Sequence, residues 1–118
     1  MNRLARVEVE PQDEVSLVRV LGEVDLSNAE EIAAAMDGAV RPDTRRLVVD
    51  LSSTTYMDSA GVRVLFGLRE RLHARRRRLL LVVPKDAPVR AVVELTGLSR
   101  IVPLGDSLET VPQDPDSP

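Results

Sequence analysis

The chain has 118 residues, which suits one domain and leaves no room for two. Hydrophobic residues make up 43% of it but aromatic ones only 2%, so the core must be aliphatic, and stacking platforms for single-stranded nucleic acid are missing. With no Cys, one His and a net charge of −3, disulfides, thiolate chemistry and the usual zinc or multi-histidine centres are excluded, and no bulk attraction to nucleic acid is expected.

The elements follow in chain order. Met1 to Glu8 lacks a signal-peptide core, and no apolar run has the length of a membrane span, so a cytoplasmic protein is expected. Arg6 to Glu10 reads as a strand, and Pro11 to Glu14 as a turn. Val15 to Leu21 alternates apolar and polar residues as a half-buried strand does, which predicts an initial hairpin. Gly22 to Leu26 reads as a loop. Ser27 followed by Glu30 fits a capping box, opening a helix that buries Ala29, Ile32, Ala33, Met36 and Val40. Pro42 and Asp43 interrupt it. Leu47 to Leu51 is apolar enough for a central strand.

A second helix is predicted from Ser59 to Arg75, and a buried strand over Leu79 to Val83, stopped by Pro84. Asp86-Ala87-Pro88 begins a third helix that Gly97 ends. Ile101 to Leu104 is read as a last strand and Ser107 to Val111 as one more helical turn. Residues 1–111 thus form the domain, and 112–118, acidic and proline-bearing, are expected to be a disordered tail. A strand–helix alternation after a hairpin predicts an α/β fold with a mixed sheet of four to five strands and three to four helices packed against it.

Chemistry concentrates at Tyr56-Met57-Asp58-Ser59-Ala60-Gly61-Val62-Arg63. Ser59 falls at a helix N-terminus, where free backbone N–H groups and the dipole tolerate an added phosphate. The other role open to it is plain N-capping. At about 100° per residue, Gly61, Leu65, Leu68 and Leu72 share a stripe facing the sheet. Ser59, Arg63, Phe66 and Glu70 lie opposite, with Val62 at the edge. Phe66 and Val62 then form the apolar anchor of a partner surface, with Arg63 and Glu70 as its polar rim. Alternatively, Phe66 packs on a neighbouring helix.

Other readings are weaker. A hydrolase using Ser59 needs a base in reach, and His73 is fourteen residues along the same helix, about 21 Å away. A receiver domain would group Asp50, Asp25 and Asp58 around a magnesium ion, but such domains do not begin with a hairpin. Nucleotide binding lacks a glycine-rich phosphate loop. The run Arg75 to Arg78 is read as cations at a helix C-terminus rather than as a nucleic-acid contact.

The sequence resembles the anti-sigma factor antagonists of bacteria, whose fold is the STAS domain. The resemblance rests on Leu21-Gly22-Glu23-Val24-Asp25-Leu26, Val48-Val49-Asp50-Leu51, Tyr56 to Val62 and Leu95-Thr96-Gly97-Leu98, across residues 7–111. It implies that Ser59 is the phosphoacceptor, flanked by Asp25 and Asp58. It also implies a non-enzymatic protein without cofactor or metal. The implied partners are an ATP-dependent anti-sigma serine kinase, which Ser59 phosphorylation would shut out, and a serine phosphatase that reverses it. Ala60 departs from the pattern, since many members carry a second Ser or Thr there. An accessory STAS subunit of a transporter or larger signalling assembly, without a switch, is the competing implication.

Overall fold

The computed structural model describes residues 4–110; the expectation of a disordered 112–118 tail lies outside them, as does Val111 of the predicted last turn. Within that range ten elements follow in order: β1 Ala5–Gln12, β2 Val15–Val24, α1 Ala29–Gly38, β3 Arg46–Asp50, β4 Thr54–Met57, α2 Ser59–Ala74, β5 Arg78–Val82, α3 Arg90–Leu95, α4 Leu98–Ile101 and β6 Leu104–Gly105. The strands form one mixed sheet of order β1-β2-β3-β5-β6, with β4 pairing β2 beyond the end of the β2–β3 ladder. That is six strands among the described residues, rather than four to five.

The predicted hairpin is present: β1 runs antiparallel to β2, joined by Asp13-Glu14, with Asp13 in the left-handed region at φ 52°. The other strand pairs of the described residues are parallel. The path from β2 to β3 to β5 to β6 steps across the sheet in one direction. Right-handed crossovers therefore put the helices on the same face. The main core agrees with this. Val18 and Val20 of β2, Leu47 and Val49 of β3, and Leu79 and Leu81 of β5 pack with Ile32, Met36, Leu65, Leu68, Val93 and Leu98 from the helices. The aliphatic composition suffices because β-branched and leucine side chains fill these layers without aromatic bulk.

Several predicted boundaries are corrected. Gly22 to Val24 continues β2 instead of looping, because beyond Arg19, where pairing with β3 ends, the strand pairs β4 from Gly22 onward, with a register shift between Gly22 and Glu23. Gly22 has φ +102°, and a Cβ there would lie 2.1 Å from the Leu4 carbonyl oxygen, so only glycine fits this bend. The hydroxyl-rich stretch before Ser59, where no element is expected from sequence, holds the strand β4. The predicted capping box does not form: Asn28 takes the N-cap position of α1, and its side chain bonds backward rather than to the helix. In that helix Ala29, Ile32 and Met36 are buried, whereas Ala33 is half-buried, as is Val40 just beyond its end. Turns occupy Lys85 to Val89, so α3 starts at Arg90 rather than at Asp86. The last strand begins at Leu104, and Ile101 belongs to α4, which restarts directly after Gly97 (φ +83°). Ser107 to Thr110 is a hydrogen-bonded turn rather than a helix.

Candidate functional site

The site assembles where β2 and β4 end side by side. Val24 and Met57 are register partners, and the Asp58 N–H donates to the Val24 carbonyl at 3.2 Å. The next residue on each strand is an aspartate, Asp25 and Asp58. Adjacent strands lie about 4.8 Å apart, so the pairing alone brings these acids together.

Each acid is held by its own local turn. Asp58 is the N-cap of α2, and its Oδ1 accepts from the Ala60 N–H at 2.9 Å and the Gly61 N–H at 3.3 Å. Asp25 Oδ1 accepts from the Ser27 N–H at 2.9 Å and from the Ser27 hydroxyl. The buried Asn28 locks this loop: its Oδ1 accepts from the Asp25 N–H at 3.0 Å and its Nδ2 donates to the Glu23 carbonyl at 2.8 Å. Thr54, also buried, ties β4 to β2 through a 2.7 Å bond from its hydroxyl to the Val20 carbonyl. Sequence reasoning misses both Asn28 and Thr54. An Asn three residues after an Asp at a strand–helix junction is the signal that could find the former.

Ser59 is the first residue of α2 and is exposed. With Asp58 filling the cap, the N-capping role open to Ser59 goes to its neighbour. Its hydroxyl makes no hydrogen bond among the described residues. Gly61 is buried where α2 meets the sheet. A Cβ there would stand 2.5 Å from Met57 Cγ and 2.9 Å from Val24 Cγ1, so glycine lets the helix start descend onto β2 and β4.

The partner face is only partly as predicted. Ser59, Arg63 and Glu70 are exposed, and Phe66 is half-buried, leaning on the core. Glu70 pairs with the neighbouring Arg69 at 3.1 Å. Val62 is a correction: it is 6% exposed and belongs to the core, so it anchors nothing outside. The reason is that α2 packs against α1 as well as against the sheet, which widens its buried arc beyond one stripe. The exposed apolar residues beside the acids are instead Leu26, 78% exposed in the Asp25 loop, and Tyr56, 50% exposed on β4. Sequence reasoning misses Leu26 because a leucine in a short loop carries no periodic signal.

Asp50 stands apart from Asp25 and Asp58. It accepts from the Ser52 N–H at 2.9 Å and the Ser52 hydroxyl at 2.6 Å, and faces Arg19 Nε at 3.7 Å. His73 lies in the last turn of α2, at the far end from Ser59. Among the described residues no cluster of His, Asp and Glu has the makings of a metal site, and no helix is long and apolar enough to cross a membrane.

Comparison with known proteins agrees with this geometry. The STAS domain model matches residues 6–111. The anti-sigma F factor antagonist of Paenibacillus polymyxa is 29% identical over 103 residues, covering 86% of this chain and 87% of that protein. The crystal structure of an anti-sigma factor antagonist from Mycobacterium paratuberculosis superposes with a TM-score of 0.79 at 31% identity, covering 89% of this chain and 88% of that one. The antagonist SpoIIAA in its unphosphorylated form gives a TM-score of 0.72 at 25% identity, with 88% and 90% covered. A single STAS-type domain, an acid pair at the β2 and β4 ends and relatives of this kind lead to one assignment: the chain belongs to the STAS domain family, among the anti-sigma factor antagonists.

Proposed function

We propose that the protein is a binding switch whose on and off states differ by one phosphate on Ser59. Unphosphorylated, it binds an anti-sigma factor that is itself an ATP-dependent serine kinase, and the sigma factor is released. Phosphorylation of Ser59 by that kinase ends the binding, and a serine phosphatase restores it. The chain acts in the cytoplasm as ligand and substrate, not as an enzyme. It has no direct dealings with nucleic acid or membrane.

The observation that carries this reading is the state of Ser59. Its hydroxyl is exposed, makes no hydrogen bond among the described residues, and sits on the first turn of a sixteen-residue helix capped by another residue. The relative SpoIIAA supports it too, having been solved in unphosphorylated and phosphorylated forms. A phosphoserine carries about −1.5 to −2 charge at neutral pH. Two first-turn N–H groups are already engaged by Asp58, so the helix terminus has less to offer a phosphate than an uncapped one would. The new charge instead joins Asp25 and Asp58 in one acidic patch. Arg63, one turn along, is placed to offset it in part, at about 0.2–0.5 kcal/mol for such an i,i+4 pair. A partner surface shaped to a neutral hydroxyl meets like-charge repulsion and an added desolvation cost. A loss of about 3 kcal/mol corresponds to roughly a hundredfold in affinity.

Incubation with ATP and the cognate anti-sigma kinase, followed by peptide mass spectrometry, tests the site. The phosphate is expected on Ser59 alone; finding it on Ser52, Ser53 or Thr55 instead would move the switch. In binding titrations Ser59→Ala keeps wild-type affinity, and Ser59→Asp binds at least tenfold more weakly. Equal affinity of Ser59→Asp and wild type removes the electrostatic mechanism.

A further inference from the structure

The two ends of α2 carry opposite charge. Its sixteen residues rise about 24 Å, which separates the Ser59 end, with Asp25 and Asp58 beside it, from an arginine-rich end. At the latter a cavity of about 220 Å³ lies between the last turns of α1 and α2. Val40, Leu68 and Leu72 give it an apolar floor. Asp37 and Arg71, joined at 2.9 Å, tie the two helices together beside it, and Arg75 lines it as well. Arg75 also lines a second cavity, of about 490 Å³, where four arginines, Arg45, Arg75, Arg76 and Arg77, meet two acids, Glu14 and Asp43.

Two of these arginines are engaged by the fold. Arg45 pairs with Glu14 at 3.4 Å, and Arg77 donates to the carbonyls of Arg41 and Pro42. Arg75 and Arg76 are different. Both are exposed, and neither side chain has a hydrogen bond or ion pair among the described residues. Arg76 moreover stands at φ 59°, a backbone position that glycine takes without strain. A long cationic side chain kept at a strained position that the fold itself does not need indicates a use outside the fold. The whole chain is acidic, at −3, so this cationic end is a local feature and not a consequence of composition.

We propose that this end of α2 is a second docking surface, for an acidic peptide segment of a partner protein. One aliphatic side chain of the segment seats over Val40, Leu68 and Leu72, and carboxylates beside it reach Arg75 and Arg76. Charge complementarity selects the carboxylates, since guanidinium groups take them in paired hydrogen bonds. The apolar floor selects the aliphatic anchor. A nucleic-acid backbone matches less well: it has no aliphatic group for the floor, and Glu14, Asp37 and Asp43 interrupt the path of a run of phosphates. The two ends of α2 are far enough apart to be occupied together, so this inference does not depend on the proposed serine switch.

The probe is a fluorescein-labelled synthetic peptide with a central leucine flanked by glutamates, titrated into the full chain at low salt. The double substitution Arg75→Glu and Arg76→Glu is expected to weaken binding by roughly tenfold or more. Replacing the peptide's leucine by alanine is expected to weaken it several-fold. Arg76→Gly separates binding from folding: affinity should fall several-fold although the urea midpoint rises. Ser59→Asp should leave peptide affinity unchanged. Amide NMR shifts are expected at Val40, Leu68, Leu72 and Arg75. Undiminished affinity in the double variant, shifts centred on Asp25 and Ser59, or no saturable binding at millimolar peptide overturns the surface. Equal binding of the alanine peptide overturns the anchor. Tighter binding of a single-stranded RNA of equal charge, lost in the same double variant, overturns the choice of a protein partner.

Discussion

At the scale of single residues, two positions near Ser59 separate fold from recognition. Gly61 is there for space: a Cβ would press on Met57 and on the stiff, branched Val24. Gly61→Ala is expected to cost about 1–3 kcal/mol, because forcing a methyl into a packed contact outweighs the better helix propensity of alanine. Urea unfolding of the variant checks this, and a stabilised variant would mean that α2 can lift off the sheet at little cost. Leu26 is the opposite case. Being largely exposed it adds nothing to the core, so Leu26→Ala should change stability by no more than about 0.5 kcal/mol. If the surface around Asp25 and Ser59 is where the anti-sigma partner docks, the same substitution should weaken binding about tenfold or more, as loss of a central apolar contact does. Isothermal titration against the partner reads that directly. Gly61 and the acids are legible in the sequence, because a glycine and two aspartates at that spacing mark a tight strand–helix junction. Leu26 is not, since its exposure depends on how Asn28 pins the loop.

At the scale of elements, the arginine run shows how local chemistry ends a helix. Arg75 is the C-cap of α2 and Arg76 follows in the left-handed region at φ 59°. The Arg77 N–H donates to the Leu72 carbonyl at 2.8 Å and the Arg76 N–H to the His73 carbonyl at 3.0 Å, which is the Schellman pattern. Arg77 then reaches the carbonyls of Arg41 and Pro42 at 3.0 and 3.2 Å, fastening this turn to the loop before β3. The reading of the run as cations at a helix C-terminus thus has a detailed structural form. A non-glycine residue in the left-handed position costs about 1–2 kcal/mol. Arg76→Gly is therefore expected to stabilise the protein by about 1 kcal/mol, seen as a higher midpoint in urea at unchanged slope. The elements misread from sequence share a cause. β4 and β6 are four and two residues long and exist through non-local pairing, β4 with β2 and β6 with β5. Periodicity over so few residues carries little information, whereas α2 and β5 announce themselves by length and by unbroken apolar spacing.

At the scale of the whole molecule, stability and recognition are drawn from different apolar residues. The core is built without aromatic bulk, and α2 is its centre, touching both α1 and the sheet. Leu65, fully buried in the middle of that helix, should therefore be costly to truncate, whereas Leu95, 87% exposed at the end of α3, should not. Leu65→Ala is expected to lose about 2–5 kcal/mol, while Leu95→Ala stays within about 0.5 kcal/mol. A domain of this kind is stable by only about 5–15 kcal/mol, so the first variant should be close to its unfolding limit. Thermal and urea unfolding of the pair will decide. A large loss from Leu95→Ala would mean that α3 packs against more than the described chain. A small loss from Leu65→Ala would mean that the core can collapse around the missing side chain. Because α2 carries Ser59 at one end and the core's centre in its middle, such a result would also bear on the switch: a helix that repacks easily would hold its first turn, and the hydroxyl on it, less firmly for a partner to read.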